Sequence, residues 1–130
     1  MSKSNKAIPA NVIWFEIPAD QPARAQQFYS ALFGWKINPM PGMEGKYWHI
    51  DTGGKHDMPD GGMMPRACPG QPITNYIRVP SVTKGMAKVK KLGGVVCKPK
   101  TAVPGMGYFA ICLDTEKNMF ALWEVNMKAK

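Results

Sequence analysis

The chain has 130 residues, 45% of them hydrophobic, and a formal net charge of +8, which suits one ordinary globular core. No run approaches the roughly 18 apolar residues of a membrane span, and the polar stretch Met1–Ala10 lacks the apolar segment of a secretory signal; a cytoplasmic protein with no membrane partner is expected. The basic residues run over the whole chain without an Arg-rich, aromatic-interleaved segment, so solvated surface charge is expected and nucleic acid is not.

Asn11 to Ile17 reads as a strand of β-branched and aromatic residues that Pro18 should end. Asp20 is placed to cap a helix with Pro22 in its first turn. Ala25, Phe28, Tyr29, Leu32 and Phe33 recur at helical spacing, and Gly34 supplies the stop. Short strands are expected at Trp35–Asn38, Lys46–Asp51 and Gly62–Arg66. The cluster Cys68-Pro69-Gly70-Gln71-Pro72 is a natural boundary.

The same order then recurs. Ile73–Val79 reads as a strand closed by Pro80, and Ser81 can cap a helix with apolar positions Val82, Met86, Val89 and Leu92. Lys84, Lys88, Lys90 and Lys91 fall on the outer face of that helix, and Gly93-Gly94 stops it. Strands are expected at Val95–Lys98, Gly107–Leu113 and Met119–Val125. Three registrations, all in one order, mark a repeat with an offset of about sixty residues. The strand-Pro-cap-helix-Gly passage occurs twice. Pro41-Gly42-Met43 ahead of Gly45 and Tyr47 is echoed by Pro104-Gly105-Met106 ahead of Gly107 and Tyr108, and each copy closes on an apolar strand.

These signals predict an α+β fold: two tandem βαβββ modules, about 10–67 and 72–126, forming one domain over residues 1–130. The modules should make a curved mixed sheet with the helices on its outer face and a concave cup on the other. A single four-stranded module has exposed edges and half a core, so two should pair.

The residues also carry a family likeness. Trp14-Phe15-Glu16-Ile17-Pro18, Phe28-Tyr29 and Phe33-Gly34-Trp35 fall in order along the chain. Pro104-Gly105-Met106-Gly107-Tyr108-Phe109 and Asn118-Met119-Phe120-Ala121-Leu122-Trp123 follow them. In these the chain resembles the vicinal oxygen chelate superfamily, the glyoxalase/bleomycin resistance/dioxygenase proteins, and within it the small bacterial glyoxalase-like branch. The resemblance covers roughly residues 10 to 126. It implies a cup in which His and Glu on the first and last strand of each module hold a divalent ion that polarises vicinal oxygens.

Carried over position by position, those ligand places hold Trp14, Met63 or Met64 (depending on register), Thr74 and Ala121. None offers the imidazole or carboxylate that such an ion needs. The expectation is no metal, no cofactor and a pocket for a small-molecule ligand. Period-two alternation from position 14 lines that cup with Trp14, Glu16, Met63 or Met64, Tyr76, Arg78 and Trp123, and sends Phe15, Ile17, Ile77 and Val79 under the helices. An aromatic, Met-bearing pocket with one acid and one base is a recipe for small-ligand recognition. The resemblance also implies a homodimer.

Several residues keep two readings. Glu16 is a proton-transfer group or one half of a structural pair with Arg78. His49 and His56 are surface histidines or, with Glu16, unconventional ligands of a metal-dependent lyase, isomerase or dioxygenase. Met40, Met43, Met58, Met63 and Met64 are packing or a soft-metal surface. The scattered Cys68, Cys97 and Cys112 match neither a disulfide framework nor zinc-ligand spacing and read as packed or partly exposed thiols. The hairpin Asp114-Thr115-Glu116-Lys117-Asn118 departs from the family's usual Asp-Pro-Glu-Gly-Asn, with Lys117 where glycine would take a positive φ more easily. A basic regulatory or nucleic-acid-associated protein is a third reading, resting on net charge alone.

Overall fold

A computed structural model of the chain describes residues 9–55 and 59–130. His56 and Met58 lie outside the described residues. The described residues form two compact units, one of residues 13–75 and one of residues 9–12 with 76–130. Their elements realise the expected α+β fold as two copies of a strand-helix-three-strand order, eight strands and two helices among the described residues. No helix among those residues is long and apolar enough to cross a membrane.

In the first unit the strand order is β2 (Lys36–Pro39), β3 (Trp48–Asp51), β4 (Asp60–Pro65), β1 (Val12–Ala19). β1 runs parallel to β4, and the other pairs are antiparallel. The first strand continues through Pro18, which was expected to end it. Arg66 N–H bonds the Ala19 carbonyl at 2.9 Å, so the odd residues of β1 address β4, and the N–H that Pro18 lacks falls on the other side.

Helix α1 (Pro22–Phe33) starts from Gln21 with no side-chain cap. Asp20, the expected cap, instead accepts from Arg66 Nε at 2.9 Å. Gly34 closes the helix in the left-handed conformation at φ 74°. Ala25 and Tyr29 pack with Phe15 and Trp35 against the buried Ile17, Ala19, Ile50 and Met63. Phe28, Leu32 and Phe33 do not follow them inward; they are 60%, 58% and 57% exposed. An aromatic cluster forms instead around Trp35, 5.3 Å from the Tyr29 ring and 5.1 Å from that of Phe33.

The second unit holds α2 (Val82–Lys91) and strands in the order β5 (Thr74–Arg78), β8 (Met119–Val125), β7 (Gly107–Leu113), β6 (Val95–Val103). Ser81 caps α2 as expected, its hydroxyl accepting from Lys84 N–H at 3.1 Å. Val82, Ala110, Cys112 and Leu122 form the core, with Val79, Met86 and Val89 packed against them. Leu92, expected inside, is the C-cap and 67% exposed. β6 runs past its expected end at Lys98 and through Pro99, with irregular register between Val96 and Thr101. It is the outermost strand of its unit, where proline removes no inner ladder bond.

Candidate functional site

Alternation along β1 sends Phe15, Ile17 and Ala19 to the core beneath α1, so Trp14 and Glu16 stand on the opposite face. The register completes that face. Glu16 pairs with Gly62, and Gly62 pairs with His49 across β3. Trp14 pairs with Asp60, and Pro18 with Met64. Ile17 pairs with Met63, which is wholly buried in the core. The choice between the two methionines therefore falls on Met64, and Met63 is corrected from a lining residue to a packing residue.

The absence of a side chain at Gly62 makes room for a group the sequence did not single out as functional. The Tyr47 ring lies where a Cβ on Gly62 would be. From there its hydroxyl donates to Glu16 Oε2 at 2.7 Å and accepts from Trp14 Nε1 at 3.0 Å. A second pair lies beside it. His49 Nε2 is 3.2 Å from Asp60 Oδ2, while Asp60 Oδ1 accepts from the Thr52 N–H at 3.2 Å and the Thr52 hydroxyl at 3.3 Å. The His49 and Trp14 rings are 5.7 Å apart. This face thus carries two carboxylates, each held by named donors, a phenol, an imidazole and an indole. Glu16 accepts a hydrogen bond from an oriented partner, and Asp60 fixes the direction of the His49 ring.

Sequence reasoning missed Tyr47 and Asp60. The one signal available for them was the pair Gly61-Gly62 inside a strand, since glycine there marks close approach of another group.

In the second unit, Val79 packs beneath α2, and its N–H bonds the Trp123 carbonyl at 2.9 Å. Alternation then puts Tyr76 and Arg78 on the face away from α2. Phe109 pairs with Trp123 and Ile111 with Ala121 on that face, because Ala110 and Leu122 point to the helix. The Tyr76 and Phe109 ring centroids are 6.3 Å apart, and Lys98 Nζ lies 5.4 Å from the Phe109 ring. Trp123 lies against Gly107, where an added Cβ would come within 2.8 Å of the indole Cζ2. Arg78 Nε is buried and has no hydrogen-bond partner among the described residues.

The structure thus brings Trp14, Glu16 and Met64 onto one face of the first unit, and Tyr76, Arg78 and Trp123 onto one face of the second. At the four places where the resemblance puts metal ligands, the residues do not fit an ion. Trp14 carries only an N–H, already given to Tyr47. Met63 is sealed in the core and Met64, on the face, offers only a thioether; Thr74 is 4% exposed, and Ala121 is buried without a donor atom. No group of three or more His, Cys, Asp or Glu able to hold an ion occurs among the described residues.

Comparison with known proteins gives a consistent result. The family model described as bleomycin resistance protein-like N-terminal matches residues 11–53. Over 117 residues the chain is 32% identical to a Mycobacterium bovis protein named "Putative glyoxylase CFP32", covering 87% of this chain and 45% of that protein. A Mycobacterium tuberculosis protein of the same name matches equally. The chain therefore spans less than half the length of these relatives. Among solved structures, a glyoxalase/bleomycin resistance protein/dioxygenase superfamily member from Vibrio splendidus superposes with a TM-score of 0.63 at 11% identity, covering 90% of this chain and 99% of that one. The Mn(II)-bound glyoxalase from Novosphingobium aromaticivorans gives 0.58 at 12% identity, covering 95% of this chain and 40% of that one. At these identities the structural likeness is one of fold.

Proposed function

We propose that this chain, which belongs to the glyoxalase/bleomycin resistance/dioxygenase (vicinal oxygen chelate) superfamily, binds a small molecule without the metal ion usual in that superfamily. The observation that carries the reading is the chain of hydrogen bonds from Trp14 through Tyr47 to Glu16. A metal ligand at position 14 would need a lone pair aimed at an ion; an indole has none to give, and its single N–H is committed to Tyr47. What replaces the ion is an aromatic wall with a phenol and a carboxylate beside it. Such a surface stacks a ring and exchanges hydrogen bonds with its substituents. The candidate binding residues are, on the face of the first unit, Trp14, Glu16 and Met64, with Tyr47 orienting Glu16, and, on the second unit's own face, Tyr76, Arg78 and Trp123.

The wider reading is a cytoplasmic protein made of one domain with modules at about 10–67 and 72–126, acting as a homodimer. Support for the dimer is the resemblance to the superfamily. Sedimentation at micromolar concentration tests it, with a monomer as the overturning result.

The experiment for the metal-free reading is elemental analysis of chelator-rinsed protein, followed by tryptophan-fluorescence titration with bleomycin and catechol. Substoichiometric metal, and binding that added Mn(II) or Zn(II) leaves unchanged, are expected. One tightly held divalent ion per chain, or binding that appears only with added metal, would overturn the reading in favour of unconventional ligands such as Glu16 and His49.

A further inference from the structure

The charge of this chain is lopsided. Residues 76–130 contain ten lysines and arginines against three carboxylates, whereas residues 13–75 contain five against six. The excess that first reads as a general surface property belongs almost wholly to the second unit. All three of its carboxylates are engaged elsewhere. Glu124 accepts from the Val82 N–H at 2.9 Å at the start of α2. Asp114 and Glu116 lie in the β7–β8 turn, where Asp114 holds the backbone of Glu116 and Asn118. The face opposite α2 therefore carries two cations, Arg78 and Lys98, and no acid of its own unit.

Arg78 is the informative one. Its Nε is buried and unpartnered among the described residues. A guanidinium N–H can only donate, so nothing but an acceptor satisfies it. Buried donors of this kind are normally satisfied, and an exception asks for an absent acceptor. Its face of the second unit also carries aromatic residues. Tyr76 precedes it by one turn of the strand alternation and sits 6.3 Å from Phe109, centroid to centroid. Trp123, whose carbonyl takes the Val79 N–H, lies on the neighbouring strand with its ring against Gly107.

We infer that this face of the second unit is a subsite for a small planar carboxylate, its ring against Tyr76, Phe109 and Trp123 and its oxygens on the Arg78 guanidinium. The inference rests on the small-molecule reading above and adds the chemical class of the ligand. A carboxylate is favoured over a phosphate because its plane continues that of an attached ring and matches the two-pronged edge of Arg. Arg78 would be the group that meets the negative charge shared by the two carboxylate oxygens.

The test compares benzoate with its neutral counterpart benzyl alcohol, by calorimetry and by NMR of the arginine Nε–H and tryptophan indole signals. Benzoate should bind at least ten times more tightly, moving the Arg78 Nε–H and the Trp123 indole together. R78K should lose most of that preference, because a point charge does not reproduce the fork. Equal binding of the two compounds would overturn the carboxylate inference and leave small-molecule binding intact. No binding of benzoate, or shifts elsewhere with Arg78 unmoved, would overturn it as well. The bleomycin and catechol titrations use neither probe, so the failure of the broader reading is scored separately. The benzoate comparison is made on the unaltered protein and does not depend on R78K folding.

Discussion

Tyr47 reaches Glu16 across Gly62, with 2.7 Å between the phenol oxygen and the carboxylate. The two are 31 residues apart in sequence, and the contact exists because the position between them has no side chain.

That relationship separates two adjacent glycines. The atoms nearest a Cβ at Gly62 belong to the far end of Tyr47, a side chain that can rotate where backbone cannot. A Cβ at Gly61 would meet the Phe15 carbonyl oxygen at 2.6 Å, and backbone within a paired strand cannot yield. G62A should therefore cost about 2 kcal/mol, the scale of the two hydrogen bonds that Tyr47 makes, while freeing the Trp14 indole N–H. G61A should cost about 3 kcal/mol or more by overpacking. Urea unfolding of both variants, with the Trp14 indole resonance as the local reporter, checks the contrast. Equal destabilisation would contradict it.

The neighbouring methionines should divide in the same way. M63A opens a cavity in the core and is expected to cost about 3 kcal/mol. Met64 is half-buried on the other face, so M64A should cost about 1 kcal/mol and weaken ligand binding. Chemical denaturation alongside the fluorescence titration distinguishes the two losses.

These paired residues also mark where the sequence could be read and where it could not. Local signals placed β7 and β8 to the residue, the Ser81 cap and the stop at Gly34, because each depends on local chemistry. Alternation placed Trp14 and Glu16 opposite Phe15 and Ile17 for the same reason. Met63 and Met64 stayed ambiguous because their facing depends on the register of β4 against a distant strand. Tyr47 lies just outside β3, and its reach to Glu16 depends on two strand pairings at once. Phe28, Leu32 and Phe33 had helical spacing, yet only Ala25 and Tyr29 pack against the core, because helical spacing alone does not set which part of an apolar stripe the sheet covers.

The three thiols should react in two classes. Cys68 and Cys97 are exposed, whereas Cys112 is buried in the second core. Burial, with a smaller contribution from nearby Cys97, pushes the Cys112 thiol above its ordinary range, which removes the reactive thiolate at neutral pH. A chromogenic disulfide reagent should titrate two thiols in the native protein and a third only in denaturant. Three fast thiols would show that the core is open.

Lys117 has φ 67°, the one non-glycine residue with positive φ among those described. Left-handed backbone is costly for a residue with a Cβ, and glycine removes that cost while giving the unfolded chain more freedom. The net expectation for K117G is a gain of about 0.5 kcal/mol, read as a higher midpoint in urea. A loss would mean that Lys117 makes a compensating contact.

The same turn should set part of the acid behaviour. Asp114 Oδ1 accepts from the Asn118 and Glu116 N–H groups at 2.9 and 2.8 Å, and these bonds hold the carboxyl below its ordinary range. A carboxyl lowered on folding stabilises the native state fully above its unfolded pKa, and the contribution is lost as pH falls through the lower, folded value. D114N keeps the shape of the turn but cannot ionise. The variant should therefore melt below the parent at neutral pH, and the gap should close as the solution becomes more acidic than the usual aspartate range. Thermal melts of both proteins from neutral pH downward read this directly. A gap that stays constant with pH would assign the turn's stability to shape and not to the charge on Asp114.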